Sequence, residues 1–171
     1  VPRQKQECAL ARFSGRIEWF NSLDALPSLT GVFFSNELLD SMPVHLLRSH
    51  EDVRPGGLQW MEKCVDWQND SFGFTEHPVN DVLLQEQLST FPTLPSGSEV
   101  EVNLAALKWM GVLSNKIQRG FILTIDYGYA RAQLSAQAQS SGSLQCRQKH
   151  QLIESPFVAV GECDVTAHVN W

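Results

Sequence analysis

What this sequence lacks narrows its chemistry before any motif is sought. It has no G-x-G-x-x-G and no G-x-x-x-x-G-K-[ST]. The glycine-rich loops that cradle dinucleotides and nucleoside triphosphates are therefore not in these residues. H-E-x-x-H and C-x-x-C are missing too, which removes the commonest metal-site spacings and leaves no metal expected. Without G-x-S-x-G, neither Ser35 nor Ser143 sits on a nucleophile elbow. No apolar run approaches the ~20 residues that cross a bilayer as a helix. Lys and Arg number 13 against 19 Asp and Glu, and the net charge is −6. That field opposes binding to nucleic acid or to an anionic membrane. Cys8, Cys64, Cys146 and Cys163 are widely scattered and read as reduced thiols in a reducing compartment. No internal repeat is present. The chain begins with Val, so the lack of a visible leader carries no weight.

What is there points to one α/β domain. A length of 171 residues with 43% hydrophobic and 19% charged residues is ordinary for a globular core. Two apolar runs stop abruptly at polar residues. Gly31-Val32-Phe33-Phe34-Ser35 leads into Asn36-Glu37-Leu38-Leu39-Asp40, and Gly120-Phe121-Ile122-Leu123-Thr124-Ile125 leads into Asp126-Tyr127-Gly128-Tyr129. Short continuous apolar strands, buried on both faces, belong to parallel sheets. Ligands of such sheets bind beyond the carboxyl ends of the strands, where both polar clusters lie.

The rest of the chain is read by periodicity and punctuation. Residues 3–13 read as the tail of a helix and Arg16–Phe20 as a strand. From residue 44 the character changes. Pro55-Gly56-Gly57 signals a turn, and Leu58–Trp67 alternates with period two, which predicts an antiparallel hairpin or meander inserted after the first sheet strand. A helix is expected within 78–90. Val102, Ala105, Ala106, Trp109, Leu113 and Ile117 recur at spacings of three and four, predicting a helix over Val100–Ile117 that Gly120 stops. Residues 132–143 are polar and of low complexity and read as a surface loop. Ser143–His150 and Cys163–Trp171 alternate as strands do.

The candidate chemistry sits at the two strand ends. Glu37 and Asp40 are three residues apart and share a side of a first helical turn. Such carboxylates bind a cation, grip a guanidinium or act as a base; they also suit a plain acidic helix start. Asp126 followed by Gly128 reads as a site loop in which glycine admits a close backbone approach, or as a simple strand-to-loop turn. His45, His50, His77, His150 and His168 form no metal ladder, and structural roles suit them.

Five ordered blocks carry a resemblance: GVFFSNELLDSMPVH, SEVEVNLAALKWM, GFILTIDYGY, GSLQCRQKH and GECDVTAHVNW. Together they resemble the MidA-type S-adenosylmethionine-dependent methyltransferases, relatives of the mitochondrial arginine methyltransferase that assists respiratory complex I assembly. The resemblance implies a Rossmann-like methyltransferase fold, here incomplete, with a hairpin or meander inserted at about residues 44–97. It implies that residues 1–171 are the C-terminal part of one such domain, an internal fragment inactive alone, with the main cofactor-binding elements upstream of Val1. S-adenosylmethionine is the implied cofactor, and a protein arginine the implied acceptor. Glu37, Asn36 and Asp40 would stand beside the transferred methyl group; Asp126, Tyr127, His168 and Asp164 would contact the substrate. Where amino-methyltransferases often carry an Asn/Asp-Pro-Pro-aromatic motif, this chain has Glu37-Leu38-Leu39 after Asn36, and a carboxylate suits a guanidinium acceptor. The implied compartment is mitochondrial in a eukaryote and cytoplasmic in a bacterium. A homodimer is left open. So is a second reading, a catalytically silent methyltransferase-like scaffold whose inserted hairpin binds partners. A hydrolase using Glu37 and Asp126 has no nucleophile or metal motif behind it.

Overall fold

The computed structural model describes Phe13, residues 15–52, 57–92, 94–130, Gln133 and residues 142–171. The predicted helix over 3–13 and the predicted loop over 132–143 fall almost wholly outside them. Four sheets and two helices account for the described architecture.

The first sheet is the expected parallel pair. β1 (Leu29–Asn36) lies beside β6 (Ile117–Ile125), with Val32 opposite Phe121 and Asn36 opposite Ile125. A register shift between Leu29 and Thr30 sets their partners at Ile117 and Arg119, so Gln118 is the extra residue of a bulge. Beyond it the two backbones come unusually close. Gly120 does not stop a helix, as its position suggested. It lies inside β6 at φ +149°, where a β-carbon would overlap the Gly31 carbonyl oxygen. Only glycine fits there.

The strands are not buried on both faces. Burial alternates along β1, and Val32, Phe34 and Phe121 are 61%, 62% and 75% exposed. The described residues supply one covering layer and not two. On the covered face Ser35 donates to Thr124 Oγ1 at 3.1 Å across the pair.

The second sheet is antiparallel and larger. Its order is β4 (Ser71–Pro78), β3 (Leu58–Gln68), β2 (His45–Glu51), β5 (Glu99–Val102). The predicted meander is present, and it is longer than its alternation suggested. β3 and β4 meet at Asn69-Asp70, both at positive φ (50° and 59°), the geometry of a tight hairpin turn. Helix α1 (Val82–Ser89) follows, started by Asp81, whose carboxylate accepts from the Leu83 and Leu84 amides. Leu84 and Leu88 of α1 pack on Leu47, Leu94, Val100 and Val102, flanked by Trp60 and Phe91, and this is a complete small core. The other face of the sheet is charged. His50 reaches Glu76 at 2.6 Å, and Lys63 reaches Glu99 at 3.0 Å.

Helix α2 (Leu104–Lys116) begins later and ends earlier than its periodicity indicated. Val100 and Val102 belong to β5, and Ile117 opens β6. The boundary is Asn103, whose Oδ1 accepts from the Ala106 amide at 2.8 Å and caps the helix. The remaining strands are short: β7 (Gly128–Tyr129), β8 (Gln145–Gln148), β9 (Gln151–Ile153), β10 (Asp164–Thr166) and β11 (Val169–Asn170). β8 pairs with β9 and β10, while β11 runs parallel to β7. Arg16–Phe20 is not a strand. Cys64, Cys146 and Cys163 are free thiols.

Candidate functional site

The carboxyl ends of β1 and β6 come together as parallel pairing requires. The ladder runs one residue past β1, where the Glu37 amide donates to the Ile125 carbonyl at 2.9 Å. There the chain turns sharply. Glu37 adopts φ +48°, a left-handed conformation that is uncommon for a residue with a β-carbon. The amides of Leu38, Leu39 and Asp40 then converge on one oxygen, Asp126 Oδ2, at 3.1, 2.8 and 3.4 Å. The other Asp126 oxygen accepts from the Tyr127 amide at 2.8 Å.

This turn carries two further carboxyl groups in different surroundings. Glu37 is exposed, and Tyr127 Oη donates to its Oε1 at 3.4 Å. Asp40 is only 7% exposed, and its Oδ1 meets no hydrogen-bond partner among the described residues. Burial pushes the Asp40 carboxyl above the usual aspartate value, and the neighbouring charges of Asp126 and Glu37 push it further. Asp40 thus holds its proton to higher pH than an ordinary aspartate.

Three other elements brace the turn from behind. Asn103 Nδ2, at the cap of α2, donates to the Leu39 carbonyl at 2.9 Å. The Ala167 amide donates to the Asp40 carbonyl at 2.9 Å. Leu39 itself is buried with Ala106 and Val169, against Met42 and Trp109. Beyond Leu39, an apolar cavity of about 260 Å³ opens between α2 and β11, with Asn103, Met110, Thr124 and Asn170 in its wall.

The structure therefore gathers Glu37, Asp40, Asp126 and Tyr127 at one strand end, with Asn36 exposed beside them. His168 is one residue from the Ala167 brace. Its amide donates to Ser143 Oγ at 3.0 Å, its ring meets Tyr129 edge-on at 5.0 Å, and its Nδ1 is buried without a partner among the described residues. Asp164 stands elsewhere, exposed on β10 opposite Arg147 in the three-stranded sheet. Gly128 admits a close approach by backbone: a β-carbon there would overlap the Val169 carbonyl oxygen of β11.

Sequence reasoning passed over Asn103 and Glu101, and weighed Ser143 only as a nucleophile. Asn103 was detectable, since an Asn directly before an apolar-periodic run is a cap signal. Glu101 had no such signal. Its carboxylate accepts from the Ser143 amide and hydroxyl and the Leu144 amide, at 2.7, 2.9 and 3.1 Å, and so pins the segment that supports His168.

Comparisons with known proteins give the family and the fold. Residues 2–171 match the model of a family described as "Putative S-adenosyl-L-methionine-dependent methyltransferase". A COG1565 superfamily structure from Burkholderia thailandensis, bound to S-adenosyl-homocysteine, superposes with TM-score 0.81 at 27% identity. It covers 98% of this chain and 41% of that one. A native structure of a COG1565 protein from the same organism gives TM-score 0.82 at 29% identity, covering 98% and 44%. The chain thus spans less than half the length of either. No curated protein matches it.

Proposed function

The chain belongs to this family of S-adenosyl-L-methionine-dependent methyltransferases, and on that premise we propose that it carries the acceptor side of a methyl-transfer site, with a protein arginine as acceptor. The fold is the family's α/β architecture, and we read it as Rossmann-like. The observation that carries the proposal is Glu37: an exposed carboxylate in a left-handed conformation at the carboxyl end of β1, beside a second, buried carboxyl.

The family's cofactor supplies an activated methyl group on a cationic sulfonium. The residues present suit the methyl end of that molecule, because Glu37, Asp40 and Asp126 make the strand end acidic. They do not suit its carboxylate end. The turn amides that could cradle an anion are turned onto Asp126. We place the groups that hold that end in other parts of the full-length protein.

A guanidinium is cationic and its lone pairs are delocalised, so it is a weak nucleophile. Glu37 gripping two of its nitrogens localises the charge and aims the third at the methyl carbon. The nitrogen–carbon bond forms as the sulfur–carbon bond breaks, and the proton leaves the nitrogen to a carboxylate. Asp40, ionising at higher pH than usual, is suited to hold such a proton. A role in respiratory complex I assembly, and a mitochondrial or bacterial cytoplasmic location, follow from the MidA-type resemblance and form part of this proposal.

The test uses the full-length protein, tritiated S-adenosylmethionine and protein extract from cells lacking it. Glu37→Gln should reduce transfer by about a hundredfold, equivalent to ~3 kcal/mol in the transition state, with S-adenosylhomocysteine affinity unchanged. Native turnover in the variant would reduce Glu37 to a turn residue. A full-length wild-type protein that binds the cofactor but labels nothing would favour the scaffold reading.

A further inference from the structure

The four hydrogen bonds to Asp126 are more than a strand end needs. Leu38, Leu39 and Asp40 are consecutive, and their amides point inward at one oxygen. Successive amides in such a turn form a concavity that binds anions. Here the anion is a side chain of the same protein, delivered from the end of β6. Its second oxygen is held by the Tyr127 amide. Tyr127 in turn donates to Glu37 Oε1. The clasp therefore touches Glu37 on both sides, through the backbone that follows it and through the side chain beside it.

Glu37 needs such a restraint. Left-handed backbone is unfavourable for a residue with a β-carbon and persists where surrounding contacts over-determine it. The amide before the turn is fixed by the Ile125 carbonyl, and the three after it by Asp126. Without Asp126 the three amides have no common partner, and the turn is free to relax.

We propose that Asp126 is a positioning residue: its carboxylate builds the turn that presents Glu37, and it does not itself contact the methyl acceptor. The inference rests on the reading of Glu37 as the acceptor-gripping carboxylate. It assigns the acidic residues of this strand end different tasks. Asp126 is consumed by backbone amides, Asp40 is shielded from solvent, and Glu37 is left to meet the acceptor.

Two variants of the full-length protein separate positioning from acceptor contact. Asp126→Asn keeps a carbonyl oxygen for the turn amides but loses the charge; Asp126→Ala loses both. Amide hydrogen exchange should show Leu38 and Leu39 exchanging about tenfold faster or more in Asp126→Ala. In Asp126→Asn most of that protection should survive, and amides of β3 should be unchanged in both. Methyl transfer from tritiated S-adenosylmethionine to the same extract should follow exchange, with Asp126→Asn retaining several times the activity of Asp126→Ala. Glu37→Gly, which relieves the left-handed backbone, should make the stability loss from Asp126→Ala smaller. Equal loss of transfer in both variants with protection intact in Asp126→Asn would overturn the proposal, because charge facing the acceptor would then be what matters. Unchanged exchange in Asp126→Ala would overturn it as well. If Glu37→Gln proves harmless to transfer, the acceptor reading fails, while exchange still decides whether Asp126 builds the turn.

Discussion

The sheet of β2 to β5 and the parallel pair of β1 and β6 draw on similar apolar residues, yet they are finished differently. The antiparallel sheet closes its apolar face with α1, burying Leu47 and Leu84 completely, and turns a charged face outward. The parallel pair has α2 on one face and Val32, Phe34, Phe121 and Leu123 bare on the other. An antiparallel sheet can leave one face to water at no cost because its strands alternate apolar and polar residues. The parallel strands do not alternate: both faces are apolar, so the pair calls for a layer on each side. The sheet of β2 to β5 thus closes its own core, whereas the strand pair that carries the site is covered on one face only among the described residues.

Substitutions can break this contrast. The largest effect is expected at Leu47, the fully buried centre of the closed core. Leu47→Ala should cost about 2–5 kcal/mol by urea unfolding. A loss under 1 kcal/mol would mean that this core is loose. Next comes the same replacement made in both sheets. Gly120→Ala drives a methyl group into the Gly31 backbone and should cost about 3 kcal/mol. Gly73→Ala in β4 meets nothing within 4 Å and should stay within about 0.5 kcal/mol. Equal losses would show that the close approach of β1 and β6 is not a constraint.

A subtler effect comes from Asp40. Its folded-state pKa is raised, so the folded chain binds this proton more tightly than the unfolded chain. The contribution to stability is intact below the unfolded value and is lost as pH rises through the folded one. Asp40→Asn should therefore gain on the wild type as pH rises, by urea unfolding at a series of pH values. A constant difference would remove the buried-acid argument. The smallest effect is expected on the bare face. Phe121→Ser in this 171-residue chain should change stability by less than about 0.5 kcal/mol. A loss of several kcal/mol would show that this face is covered.

The contrast also explains what the sequence could and could not reveal. Val32–Ser35 and Phe121–Ile125 were legible as parallel strands because they are unbroken apolar runs ending at polar residues. Their exposure was not legible, because burial depends on which layers surround a strand. The stripe from Val102 to Ile117 read as one helix because three- and four-residue spacing does not see the cap at Asn103 or the strands on either side. Gly120 resembled a helix stop for the same reason: only the neighbouring backbone at Gly31 shows why glycine is there. At the site, the meeting of Glu37, Asp40 and Asp126 followed from strand ends alone. The employment of Asp126 did not, since its partners are main-chain amides that every sequence possesses. Asp164 entered only through a motif and stands on another sheet.

The register of β2 against β5 places His45 opposite Val102, and this has a consequence for how the chain finds its shape. β1 and β6 are far apart in sequence, so their pairing must close a long loop, which is entropically unfavourable and slow. β3 and β4, joined by the two-residue turn at Asn69-Asp70, can pair on the timescale of hairpins, and β2 and then β5 add to them. Once they have done so, the long loop is pinned at its neck. Residues 37–44 lead in, Asn103 alone leads out to α2, and the free chain left to be ordered is short. The sheet of β2 to β5 then serves as a folded spacer, shrinking the search by which the two halves of the acidic strand end meet.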